Sequence, residues 1–173
     1  MVHACWSDQH IDTLRPGRVD AHWTDETLRA AGTKATPEYD ACEVILKGPE
    51  VEVPTGFEYL DKGGHRRRSA RYAWWSDAPP TYANRLVLPP NTTTWDGTPH
   101  PGFPDTAIPP PLPTQELERT PTIVGHYWFT GTPTVIDEHT ACVDYSAGAG
   151  GPLVAYRWSG ETTLSDEHFI ASQ

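Results

Sequence analysis

The chain has 173 residues, with 13 Lys and Arg against 23 Asp and Glu for a formal net charge of −10. That balance argues against nonspecific binding to nucleic acid or to an anionic membrane surface. The length suits one domain with a core of its own; 18 Pro and 14 Gly predict much irregular backbone, while seven Trp and seven Tyr are too many for a disordered chain.

Three cysteines, Cys5, Cys42 and Cys142, form neither a CxxC pair nor a dense framework and read as reduced thiols of a cytosolic protein. No stretch approaches the about 18 apolar residues of a membrane span. The N-terminus also lacks the basic-then-apolar pattern of a signal peptide. A cytoplasmic location is the expectation.

In chain order, Val2-His3 reads as the last part of a core strand. Because Met1 alone precedes it, the segment is expected to be an edge element or the chain the later part of something longer. Ser7-Asp8 predicts a capped helix over 9–14, stopped by Pro16-Gly17. Thr24 to Leu28 reads as a helix start with acidic residues in its first turn, ended by Gly32. Thr36-Pro37-Glu38 opens a stronger helix over 38–46, closed by Lys47-Gly48-Pro49.

From Glu50 the pattern turns to strands. Val51 to Val53 is a brief extended segment, and 57–60 is expected to pair with 65–75 across the turn Asp61-Lys62-Gly63-Gly64. The basic cluster Arg66, Arg67, Arg68 and Arg71 reads either as a solvated face or as an anion clamp, since guanidinium forks suit phosphate oxygens. Residues 76–121 are proline-rich and predict an irregular insertion with two extended islands, 82–88 and 92–95. Such a long loop in a compact domain is usually functional or disordered.

Ile123-Val124 reads as a buried strand ending at Gly125-His126, the glycine giving the backbone room to turn. The rim beyond the carboxyl ends of strands is where ligands collect in open α/β sheets. Residues 140–145 are a strand candidate, followed by a glycine-rich loop over 146–151, with 152–158 expected as its hairpin partner. The tail over 164–170 reads as a short helix or a last edge strand.

Eight histidines are present, without an HExxH or CxxC…H spacing, and no GxSxG elbow occurs. A hydrogen-bonded structural role is the ordinary expectation for any one of them. His3 and His126 stand out because both end short apolar runs beside small residues, and two strand-end imidazoles are able to converge on one metal.

The blocks Val2-His3-Ala4-Cys5-Trp6, Val124-Gly125-His126-Tyr127-Trp128 and Ala141-Cys142-Val143-Asp144-Tyr145-Ser146, with Gly150 to Trp158 after them, resemble the C-terminal half of calcineurin-like metallophosphoesterases. The nearest group is that of bacterial serine/threonine phosphatases and diadenosine tetraphosphatases. The likeness is densest over residues 1–6, 38–75 and 121–170. It implies an α+β fold, a partial metallophosphoesterase-type β-sandwich with flanking helices and the long proline-rich loop, built as one partial domain over 1–173 with the insertion at 76–121.

It further implies a divalent-metal site (Mn, Fe or Zn) with His3 and His126 as ligands, Arg68 or Arg71 on the substrate phosphate, and Tyr145 flanking the site. The GDxHG, GDxxDRG and GNH(D/E) blocks of that family are absent, and Trp128 stands where many of its members carry a second His. Two imidazoles alone do not hold a dinuclear centre. The expectation is therefore a phosphoester hydrolase by lineage, acting on a phosphorylated substrate, truncated and not competent by itself without an N-terminal half. The alternative is a non-catalytic remnant that works as an anion-binding or interaction module.

Overall fold

In the computed structural model, residues 2–20, 22–61, 63–113 and 120–172 are described. In chain order they form α1 (Asp8–Leu14), β1 (Arg18–Val19), β2 (His22–Trp23), α2 (Asp25–Ala31) and α3 (Pro37–Lys47). There follow β3 (Glu50–Glu52), β4 (Tyr59–Leu60), β5 (Arg66–Arg67), β6 (Ser69–Tyr72), α4 (Tyr82–Arg85), β7 (Leu86–Val87) and β8 (Thr93–Thr94). The chain closes with β9 (Thr122–Val124), β10 (Val135–Asp137), β11 (Thr140–Cys142), β12 (Val154–Tyr156) and β13 (Phe169–Ala171). The class is α+β, with short helices and small sheets of two or three strands.

Two compact units share these elements, one over 1–48 with 115–173 and the other over 49–114. In the first, α2 and α3 begin where their side chains dictate. Thr24 and Thr36 sit at N-caps and accept from the Thr27 and Tyr39 N–H groups, and Pro37 opens α3. Ser7 holds the N-cap position of α1 without capping it; its hydroxyl is bonded to the His10 ring instead. Helices α1 and α2 both pack on α3. At the end of α3, Gly48 has φ 81°, and a Cβ there would meet the Tyr127 hydroxyl at 2.6 Å, so the close approach requires glycine.

Strand β11 is central in its sheet, antiparallel to β10 and parallel to β9. The strand residues Thr122, Val124, Ala141 and Cys142 are all buried. The hairpin expected between 140–145 and 152–158 is not formed. Strand β12 pairs with β13 from the C-terminal tail, because the loop at 146–151 curls back on itself and leaves β11 flanked on both sides. Ser146 and Gly150 take left-handed conformations there. The tail itself supplies both expected forms, a 3-10 turn over Asp166–His168 and then β13.

In the second unit the expected hairpin is present but brief. Strand β4 pairs with β5 and β8, and past Arg68 the chain moves to another sheet, where β6 lies between β3 and β7. Lys62, within the expected turn, and residues 114–119 of the proline-rich stretch lie outside the described residues. The rest of that stretch is more regular than its prolines suggest. Residues 82–85 form helix α4 rather than an extended island, because Thr81 caps them and accepts from the Asn84 N–H. Tyr82 and Ala83 N–H donate to Thr106 and Pro104 carbonyls. Edge-packed Trp74 and Trp75, both buried, fill the core of this unit with Tyr72 and Ile108.

Candidate functional site

Three pieces of backbone meet where β9 ends. Val2 N–H donates to Ile123 O at 3.2 Å, and Gly125 N–H donates to His3 O at 2.9 Å. On the other side, Ala4 and Cys5 N–H both donate to Ile45 O near the end of α3. The N-terminal segment is thus held between α3 and β9 without becoming a regular strand. Buried Tyr127 fastens the arrangement, its hydroxyl donating to Ala4 O at 2.9 Å.

This threading brings His3 and His126 together, with ring centroids 4.9 Å apart and planes tilted by 51°. His3 is exposed and His126 half-buried. His3 Nδ1 is hydrogen-bonded to Leu46 O. A carbonyl oxygen only accepts, so Nδ1 carries the proton and Nε2 of the neutral ring presents a lone pair. Metal-ligating histidines are commonly oriented in this way by a backbone carbonyl.

The turn after β9 differs from the sequence expectation. Gly125 does not supply the left-handed conformation; His126 and Trp128 do, at φ 70° and 52°. A Cβ on Gly125 would have only ordinary contacts, 3.7 Å from His3 O and 3.8 Å from Asp144 Cβ. Left-handed backbone at a bulky residue costs about 1–2 kcal/mol. Such strained positions concentrate at functional sites, and here they flank the paired ring.

Asp144, which drew no attention in the sequence, follows β11 at the same edge. Its signal is the parallel between Val124-Gly125-His126 and Cys142-Val143-Asp144, two strand ends in register. Its Oδ1 accepts from Ser146 N–H, and its carbonyl accepts from Phe129 N–H. Even so, among the described residues no group of three or more His, Cys, Asp or Glu could hold a metal ion. The donor set present is two imidazoles, which suits part of the shell of one transition-metal ion and does not fit a dinuclear centre.

Tyr145 is buried; its hydroxyl accepts from Thr134 N–H at 3.1 Å, and its ring meets Phe129 edge-on. It anchors the glycine-rich loop. The arginine run belongs to the second unit. Arg66 is paired with Glu58 at 3.2 Å and Arg67 with Glu50 at 3.1 Å, which leaves these two guanidinium groups partly neutralised. Arg68 is exposed in the sheet-changing step, and Arg71 is half-buried on β6.

Several other histidines have the ordinary structural role. His100 Nδ1 accepts from Gly102 N–H and its Nε2 donates to Phe57 O at 3.0 Å, so both ring nitrogens are engaged. His168 stacks on Tyr156 and lies 3.1 Å from Glu161. Two of the thiols are held back from ionising. Burial pushes the Cys142 thiol up to about 11, and burial followed by the Glu43 charge raises Cys42. All three cysteines are free.

No helix among the described residues is long and apolar enough to cross a membrane. Comparison with protein-family models, with curated proteins and with solved structures gives no match to this chain.

Proposed function

We propose that His3 and His126 are two ligands of a divalent-metal site in a phosphoester hydrolase, and that this chain alone is not competent for the reaction. The observation that carries the reading is the meeting of these two rings at 4.9 Å from positions far apart in sequence. The backbone bond at His3 Nδ1 supports it by leaving Nε2 as the ring's ligating nitrogen. A bound ion would supply Lewis-acid activation of a phosphoryl oxygen and of an attacking water. The chain's own residues orient the two imidazoles. The other ligands, absent with the GDxHG, GDxxDRG and GNH(D/E) blocks, come from a segment outside these 173 residues. In the same reading, β9 and β11 are rim strands of a metallophosphoesterase-type β-sandwich.

The test is calorimetric titration with Zn²⁺ and Mn²⁺ of the chain and of His3→Ala and His126→Ala, beside p-nitrophenyl phosphate hydrolysis. Saturable binding lost in both variants, without turnover, is expected. Absence of binding, or binding indifferent to both substitutions, would sink the metal assignment. Metal-dependent turnover by the isolated chain would overturn the claim that it is incompetent.

A further inference from the structure

Within the first unit, α1, α2, α3, the β1–β2 ribbon and Val2 line an open cavity of about 500 Å³. That volume lies in the range of about 300–1,000 Å³ typical of small-molecule sites. Its wall is aliphatic and aromatic, with Leu14, Ile45 and Trp23 among the lining groups. Leu28 and Leu46, which also line it, remain 55% and 49% exposed, so the helices leave apolar surface uncovered at its edge.

Arg18 is the single charged residue of that lining. It pairs across the ribbon with Trp23, is itself exposed, and has no ion-pair partner among the described residues. The neighbouring arginines differ: Arg15 is held by Asp12 and Arg29 by Asp25. A cation without a counter-charge at the edge of an apolar cavity complements a molecule with an anionic head and an apolar body.

We propose that this cavity binds a small amphipathic anion, a medium-chain alkyl carboxylate, with its chain among the aliphatic side chains and its carboxylate on the Arg18 guanidinium. The guanidinium fork donates to both oxygens of a carboxylate. The site stands independently of the histidine pair.

Cys42 lines the cavity and gives a direct readout. Cys5 and Cys142 are only 3% and 0% exposed, so neutral iodoacetamide reaches Cys42 first. The probe is sodium decanoate, used below its micellar range, with peptide mass spectrometry measuring the rate of Cys42 alkylation. Decanoate is expected to slow alkylation at least about tenfold at saturation, as an occluded thiol requires. In Arg18→Gln, half-protection is expected to need about tenfold more decanoate, the loss of one charge-assisted pair. Decanol should protect less well than decanoate, and decyltrimethylammonium not at all. Ala31→Phe, checked by circular dichroism, should reduce protection by filling the cavity; Arg18→Gln decides the matter if that variant does not fold. No protection by decanoate, or equal protection by decanoate and decanol in both backgrounds, overturns the proposal. Protection that rises with protein concentration alone would assign the cavity to a second copy and overturn it equally.

Discussion

The loop after Tyr145 contains three glycines that the structure separates into three cases. A Cβ on Gly151 would lie 2.0 Å from the Tyr145 carbonyl oxygen and 3.2 Å from both C and O of Ser146. These are backbone atoms, so no side-chain rotation relieves the overlap. Tyr145 cannot yield cheaply, being 3% exposed and bonded through its hydroxyl to Thr134 N–H. The substitution also strains the bond from Gly151 N–H to Ser146 O. Overpacking costs about 1–3 kcal/mol, and rigid backbone places Gly151→Ala at the upper end, about 3 kcal/mol. For a protein of this size that corresponds to a fall in Tm of about 6–12 °C. Gly150, at φ 89° with nothing nearby, should cost about 1 kcal/mol as alanine, from backbone conformation alone. Gly148 has open space and an ordinary φ, so its alanine variant should gain about 0.4–1 kcal/mol through the unfolded state. Urea and thermal unfolding of the three variants read the order directly. A Gly151→Ala protein as stable as the parent, or an order with Gly148→Ala worst, would refute the placement of this loop.

Two further outcomes rest on equally specific contacts. A Cβ on Gly17 would meet Thr27 Oγ1 at 1.9 Å and Cγ2 at 2.6 Å, so Gly17→Ala should cost about 2 kcal/mol. Thr27→Ala in the Gly17→Ala background should restore part of this, a coupling of about 1 kcal/mol in a double-mutant cycle; strict additivity would mean that Gly17, at the end of the 3-10 turn Arg15–Gly17, does not pack on Thr27 of α2. In the second unit, three carboxyls sit below their ordinary values. Glu58 is held down by its own backbone N–H, Asp61 by the His65 N–H, and Asp96 by the Thr94 hydroxyl. Because the folded values are depressed, their stabilisation is present above 4.5 for Glu58 and 3.8 for the two aspartates, and is lost as pH falls through the lower folded values. The urea midpoint followed against pH by tryptophan fluorescence should drop in that acid window, and Asp61→Asn with Asp96→Asn should flatten the drop. An unchanged acid limb in the double variant would count against these bonds.

Local chemistry was readable at the boundaries of α2 and α3. The starts of α2 and α3 follow from Thr24 and Thr36-Pro37, and their ends from Gly32 and Gly48. Thr122 to Val124 was visible as a strand because a short apolar run ends in glycine and histidine. What stayed hidden depends on partners distant in sequence. Pairing of β12 with β13 rather than β11 is decided by the direction in which the loop at 146–151 leaves, and no residue of β12 encodes that choice by itself. Helix α4 is short enough that its Thr81 cap and the carbonyls of Pro104 and Thr106 outweigh the proline content around it.

The histidine pair divides along the same line. Each ring was a candidate from its own neighbours, but their meeting depends on Ile45 and Leu46 of α3 accepting from the N-terminal segment, contacts between residues forty or more positions apart in sequence. The left-handed backbone at His126 and Trp128 was equally invisible, because glycine at 125 drew the expectation of a turn to the wrong residue. Steric preference alone would place the turn at Gly125. That it falls on a histidine and a tryptophan means packing around Tyr127 outweighs a penalty of about 1–2 kcal/mol at each residue. The bond from Tyr127 to Ala4 and its close fit against Gly48 are the contacts positioned to do so. The same tyrosine therefore ties the strained turn to the segment carrying His3, and together with the bonds from that segment to Ile45 and Leu46 it sets how the two rings meet.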